Sequence, residues 1–190
     1  MKKGVCVALV SAFLSSYPQH YQPPPTLPSS IVEIKKPDEV RQWLNTVLTY
    51  KHDYKLYGQR DFWASCGLTY LNRAGDCDDY AICAAALLEG DVEKGYIITL
   101  ESPVNNDAGH AVFAYQLNNK WGIISNQPPE FREARFSTLH DAVVDVNMAR
   151  DSTERFRQYS VRDYTGVDII HGFGDLESEM KMIETKSLQP

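Results

Sequence analysis

Apolar residues recur about one helical turn apart between Ile82 and Leu88, and this pattern predicts a helix. Gly90 follows as a stop signal. Directly upstream, a glycine allows a tight turn and Asp76 is a favourable N-cap residue. The pattern therefore predicts a central helix that begins after Asp76 and carries Cys77 in its first turn.

Four further elements are predicted outside the central helix and the strands that follow it. Residues 37–50 begin with a proline and two acidic residues and continue with an apolar stripe, which is typical of an amphipathic helix. Asp61 is an N-cap candidate for a shorter helix that runs through Leu71. Further along the chain, a helix is predicted at residues 139–148 and a strand at residues 157–164.

Beyond the central helix, the period of the pattern changes from helix to strand. Residues 95–102, 109–117 and 120–127 are short runs rich in β-branched and aromatic residues, and turn-forming clusters separate them. An Asn-Asn-Lys turn between the last two runs favours a hairpin. The pattern predicts an antiparallel sheet packed on the central helix, which is an α+β fold.

This hairpin brings two polar residues into one region of the predicted sheet. His110 opens the second strand and Asn126 closes the third, so their side chains are predicted to be cross-strand neighbours. A histidine beside Cys77 can stabilise the thiolate and later protonate a leaving amine, while an amide orients the imidazole. Cys77, His110 and Asn126 are therefore the candidate catalytic residues.

The start of the central helix acts on the Cys77 thiol in two opposite ways. Unpaired backbone N–H groups and the positive end of the helix dipole favour the thiolate. The carboxylates of Asp76, Asp78 and Asp79 disfavour a second negative charge nearby. The motif alone does not decide the reactivity of the thiol, which requires an imidazolium close by.

Composition excludes several classes of function. The chain has 190 residues and is 43% hydrophobic, which suits one domain with a separate N-terminal segment. A net charge of −6 without a cluster of basic residues argues against nucleic acid as a ligand. The four cysteines form no CxxC pair and no Cys/His cluster, so neither a zinc site nor another cofactor is predicted from them. A disulfide from Cys66 to Cys77 or Cys83 stays open for an oxidising compartment.

The first residues have the layout of a secretory signal peptide, because two lysines precede an apolar run within residues 1–16. This run is too short to span a bilayer, so no membrane-spanning segment is predicted. Cleavage would place the protein in the periplasm or outside the cell. The alternative is an apolar element packed on the domain of a cytoplasmic protein. Residues 17–36 are predicted to be a proline-rich arm, residues 37–175 the catalytic domain and residues 176–190 a charged tail.

Three strings in the chain carry a family resemblance. GDCDDYA, followed by GHAVF and WGIISNQ, resembles the transglutaminase-like cysteine protease superfamily, and most of all its bacterial peptidases with their GDCEDYA-type signature. The resemblance covers roughly residues 38–127. It implies a papain-like α+β fold, with Cys77 as the nucleophile and His110 as the general base and acid. The third family residue is usually an aspartate, where this chain has Ser125, with Asn126 next to it. Whether Ser125 or Asn126 is the third site residue stays open.

The resemblance implies cysteine-dependent acyl transfer on amides of a protein or peptide substrate. Hydrolysis of peptide bonds through a Cys77, His110 and Asn126 triad is the expected reaction. Two alternatives stay open, namely amine transfer onto protein glutamine and a catalytically weak domain that binds a protein partner. Ser125, in place of the aspartate, is what suggests the second alternative. No oligomeric state is predicted.

The resemblance also raises calcium as a ligand, since some bacterial relatives use acidic residues near the nucleophile to bind this ion. Asp76, Asp78 and Asp79 could contribute carboxylate oxygens here. The other interpretation is that these carboxylates only stabilise the start of the helix.

Overall fold

The computed structural model describes residues 27–28, 31, 33–101, 109–127, 130–163 and 169–176. The signal peptide expected at residues 1–16 lies outside the described residues, as do most of the arm and most of the tail. Those predictions stay predictions. Within the described part of the chain, no helix is both long and apolar enough to cross a membrane.

Five α-helices and eight strands are described, and a 3₁₀ helix covers Ser152–Glu154. The helices are α1 (Pro37–Val47), α2 (Asp53–Tyr57), α3 (Cys66–Asn72), α4 (Cys77–Leu88) and α5 (Leu139–Met148). The strands are β1 (Thr49–Tyr50), β2 (Ala74–Gly75), β3 (Lys94–Glu101), β4 (Gly109–Leu117), β5 (Lys120–Ile124), β6 (Arg132–Phe136), β7 (Gln158–Arg162) and β8 (Ile169–Asp175).

Six strands form one antiparallel sheet in the order β6-β5-β4-β3-β7-β8. The hairpin between β4 and β5 turns at Asn118 and Asn119, both of which have positive φ values. Strands β1 and β2 pair in parallel and bring Tyr50 opposite Gly75, two residues before Cys77. The predicted α+β architecture, with the central helix on an antiparallel sheet, is confirmed.

The two faces of the sheet bury two different layers. Ala111 and Phe113 pack with α4 in one hydrophobic cluster, whereas Val112 and Ala114 pack with α5 in the other. Successive strand residues point to opposite faces, which explains this alternation. His110 comes two residues before Val112 and therefore lies on the same face as Val112 and Ala114. Its ring stacks on Phe156, which belongs to the α5 layer.

Two of the predicted helices have different bounds in the structure. The helix predicted from Asp61 begins instead at Cys66, because the Ser65 side chain accepts the Leu68 N–H and acts as the N-cap. The Asp61 carboxylate accepts a hydrogen bond from the indole of Trp63. The first helix ends at Val47, and the chain continues into β1.

A disulfide joins Cys66 of α3 to Cys83 of α4, with 4.4 Å between the two Cα atoms. Of the two pairings that the sequence leaves open, this structure therefore contains the one with Cys83. Cys77 is the free cysteine among the described residues. The cross-link ties the central helix to the segment before it and leaves the thiol of Cys77 available.

Candidate active site

The start of α4 is held in place by the buried carboxylate of Asp79. Its Oδ1 accepts the Ala64 N–H at 2.8 Å, and its Oδ2 accepts the Asp76 N–H at 3.3 Å. A Cβ at position 75 would lie 2.6 Å from the Asp79 side chain, so this position requires glycine. These contacts fix the backbone on either side of Cys77.

The sulfur of Cys77 lies next to the first residues of β4. The backbone N–H groups of Ala111 and Asp78 both favour its thiolate form. Burial first, and then the charge of Asp78, act against the thiolate more strongly and raise the pKa of the Cys77 thiol to about 12. The thiol is therefore protonated at neutral pH when no other group acts on it.

His110 is buried, and its Nε2 atom contacts two side chains from the segment that follows β5. Nε2 lies 2.8 Å from Glu130 Oε2 and 3.2 Å from Ser125 Oγ. The Ser125 hydroxyl also donates to Glu130 Oε2 at 2.7 Å. A carboxylate partner favours the tautomer with the proton on Nε2, which leaves Nδ1 to act as a base.

The structure does not bring Asn126 to the imidazole, so the predicted contact between Asn126 and His110 is wrong. Phe113 of β4 pairs with Ile124 of β5, a register that puts His110 on the same face as Ser125. Asn126 follows on the opposite face, and its buried Oδ1 has no hydrogen-bond partner. Counting residues from the turn predicted that His110 and Asn126 are close in the hairpin, but it did not take into account that successive residues point to opposite faces of the sheet.

Glu130 is the site residue that the sequence did not reveal. It lies in the connection between β5 and β6, outside any periodic pattern. Burial opposes its charge, but hydrogen bonds from His110 and Ser125 and the charges of His110 and Arg150 outweigh that effect and lower the pKa of Glu130. The only sequence signal for Glu130 was indirect. Because the chain has Ser125 where the family pattern has an aspartate, a carboxylate partner for His110 has to come from another part of the chain.

Four aspartates surround the start of α4. The pKa values of three of them are raised, first by burial and also by repulsion between the carboxylates, to about 10 for Asp78, about 7 for Asp79 and about 6 for Asp53. One carboxylate oxygen in each of Asp53, Asp76 and Asp78 is buried without a hydrogen-bond partner. Oxygens of Asp53, Asp76 and Asp79 lie within 4.8 Å of one another. This aspartate cluster has the chemistry that a hard cation prefers.

A family model described as "Transglutaminase-like domain" matches residues 30–150, which is more than half of the chain. The chain therefore belongs to the transglutaminase-like domain family. The superfamily assignment and the papain-like α+β fold that it implies are both confirmed. No curated protein sequence matches the chain.

Solved structures of LapG from Legionella pneumophila also match. One has a TM-score of 0.42 and 15% sequence identity, and the match covers 86% of this chain and 77% of LapG. The calcium-bound form of LapG has a TM-score of 0.42 and 16% identity, with coverage of 84% and 82%. An EGTA-treated form gives the same score and identity, with coverage of 87% and 82%.

We expect Asp78→Asn to stabilise the metal-free protein, and to do so more at pH 8 than at pH 5. In the folded wild type the pKa of Asp78 lies at about 10, above its unfolded value, so the contribution of this group to stability falls as pH rises from about 4 to about 10. Asparagine does not titrate, and its oxygen can still accept the Asp79 N–H that Oδ1 of Asp78 accepts. The gain should therefore be larger at pH 8, by up to about 1.4 kcal/mol for each pH unit between the two conditions.

Urea unfolding in EGTA at the two pH values measures this difference. Asp141→Asn, at an exposed position on α5, is the matched control and should change stability little at either pH. An equal loss of stability in Asp78→Asn at both pH values would contradict the raised pKa of the Asp78 carboxyl.

Proposed function

We propose that this protein is a cysteine peptidase, with Cys77 as the nucleophile and His110 as the general base and acid. The observation that carries the proposal is that the Cys77 sulfur lies against the N–H of Ala111. Ala111 directly follows a buried histidine whose Nε2 contacts a carboxylate. Membership of the transglutaminase-like domain family supports the same assignment.

In the proposed reaction, Nδ1 of His110 takes the proton from Cys77 as the sulfur attacks the carbonyl carbon of a substrate amide. The backbone N–H of Cys77 stabilises the oxyanion at the start of α4. The C–N bond then breaks, the imidazolium gives its proton to the leaving amine, and a thioester remains. Water, deprotonated by His110, hydrolyses the thioester and regenerates the thiol. An amine in place of water would give transfer from the same intermediate.

The raised pKa of Cys77 determines when the proton moves. A thiol with a pKa of about 12 does not form an ion pair with imidazole at rest. Proton transfer then accompanies the attack, which makes His110 a general base rather than a permanent counter-ion. The serine at position 125, in place of the family aspartate, was the reason to consider a domain that only binds a partner. Glu130 weakens that reason, because its carboxylate contacts the imidazole instead.

We expect p-nitrophenyl acetate to acetylate Cys77, because this ester acylates activated thiols. The experiment therefore does not require the natural substrate to be known. Wild type should release one nitrophenolate per protein in a burst and carry the acetyl group on the Cys77 peptide. Cys77→Ala should show no burst, and His110→Ala should react at least about 100-fold more slowly, as expected for the loss of a general base.

Stopped-flow absorbance and peptide mass spectrometry make this measurement. Cys6→Ser is the matched control, because it removes a cysteine outside the described residues and should leave the burst unchanged. Acetylation of Cys77 at the wild-type rate in His110→Ala would contradict the proposed role of the imidazole.

We also propose that the aspartate cluster binds a calcium ion. Carboxylate oxygens are the ligands that calcium prefers, and the partnerless buried oxygens of Asp53, Asp76 and Asp78 lack the donors that would otherwise stabilise them. Bound calcium would balance the repulsion between these carboxylates. Asp79 would hold the start of α4, where Asp76 and Asp78 lie.

We expect calcium affinity to rise with pH. Protons on Asp53, Asp79 and Asp78, whose pKa values lie at about 6, 7 and 10, compete with the ion and must leave when it binds. Titration calorimetry at pH 6 and pH 8, in two buffers of different protonation enthalpy, should show tighter binding at pH 8 and net proton release.

Asp53→Asn should weaken calcium binding at least about tenfold, since it removes one charged ligand. Asp141→Asn should bind calcium like wild type. Binding that is unaffected by both pH and Asp53→Asn would show that calcium does not use this cluster.

A further inference from the structure

We propose that Glu130 and Arg150 are the positioning residues of the active site, with Glu130 orienting the His110 imidazole and Arg150 holding Glu130. This inference rests on the proposed function, because it assigns the partner of the proposed base. It replaces both Asn126, the candidate from the sequence, and the aspartate of the family pattern, where this chain has Ser125.

Both carboxylate oxygens of Glu130 are engaged. Oε2 contacts His110 Nε2 at 2.8 Å and accepts the Ser125 hydroxyl at 2.7 Å, while Oε1 forms an ion pair with Nη1 of Arg150. The side chain is only 2% exposed. Ser125 is fixed in turn, since its Oγ accepts the Gln127 N–H at 3.1 Å. A rotation of the carboxylate would break all three contacts, so its orientation is determined.

Charge explains why Arg150 is needed. A buried carboxylate is costly unless it is paired, and a neutral imidazole gives it a hydrogen bond but no opposite charge. Arg150 carries a permanent positive charge, so Glu130 remains ionised whether His110 is neutral or protonated. During attack the imidazole becomes positive, and the carboxylate then stabilises it. An asparagine could orient the ring but could not supply this charge.

Arg150 also supports the ring that lies against the imidazole. Its guanidinium lies 4.7 Å from the centre of the Phe156 ring, and this ring is nearly parallel to His110 with centroids 6.3 Å apart. Asn147 of α5 binds both the N–H and the C=O of Phe156. Two titratable side chains contact the Glu130 carboxylate, namely His110 and Arg150. The nearby Asp145 of α5 pairs with Arg132 and Arg135 instead.

Two variants test the pair without removing the side-chain volume. Glu130→Gln keeps the shape and one hydrogen bond but removes the charge, and Arg150→Met removes the positive charge. With p-nitrophenyl acetate, Glu130→Gln should acylate at least about 30-fold more slowly than wild type. Arg150→Met should slow acylation about tenfold, and Arg150→Lys, which restores a positive charge, should recover most of that loss. Glu133→Gln, at an exposed acid in β6, is the matched control and should react like wild type.

A second measurement does not require activity. Nitrogen-15 NMR of the His110 ring should show the proton on Nε2 in wild type and in Arg150→Lys. In Glu130→Gln the amide can donate to Nε2, so a substantial fraction of the molecules should carry the ring proton on Nδ1 instead. In that tautomer Nδ1 can no longer accept the thiol proton. A purely structural role for Glu130 would lower stability without changing the tautomer.

The outcomes separate this inference from the proposed function. If wild type fails to acetylate Cys77 but Glu130→Gln still changes the tautomer, the positioning roles stand and the peptidase proposal fails. If wild type is acylated and Glu130→Gln keeps both its rate and its tautomer, the inference is overturned while the peptidase proposal stands. A large loss in Asn126→Ala alone would overturn the inference in favour of the sequence-based candidate.

Discussion

The hydrogen bonds of the buried Asp79 carboxylate are the interaction on which the site depends most. They join the segment before α3 to the backbone that starts α4, and they require a glycine at position 75. Because α4 is buried between α1, α3 and the sheet, its first turn cannot shift without repacking the core. Cys77 is therefore held next to β4 by a rigid element, as its proposed role as a nucleophile requires.

The same construction creates an electrostatic conflict at Cys77, the proposed nucleophile. Burial of the Cys77 thiol is the main cause of its raised pKa, and the nearby carboxylates of Asp78 and Asp76 raise that pKa further, so the start of α4 disfavours a thiolate. At the start of β4, Glu130 contacts His110 and forms an ion pair with Arg150. The resting Cys77 thiol is therefore expected to be protonated and to depend on the neighbouring imidazole for activation, rather than to form a resting ion pair.

The sequence predicted those parts of the site that local patterns determine. Helix α4 and the position of Cys77 followed from a periodic stripe and an N-cap signal, and the β4–β5 hairpin followed from its turn residues. The partner of His110 could not be predicted in this way, because a shift of one residue moves a side chain to the opposite face. Glu130 lies in a connection without periodicity, and its contact with His110 depends on tertiary packing. The Cys66–Cys83 disulfide likewise depends on how α3 meets α4.

The pH dependence of Cys77 alkylation by iodoacetamide, measured by peptide mass spectrometry in EGTA, tests the central claim most directly. The reagent reacts with the thiolate, so its rate reports the thiolate fraction at each pH. If burial and the surrounding carboxylates keep the resting thiol protonated, the rate should rise about tenfold for each pH unit from 7 to 10, without a plateau. A fast rate that is already constant at pH 6 would show a resting thiolate and imidazolium pair, and would contradict this account of the site.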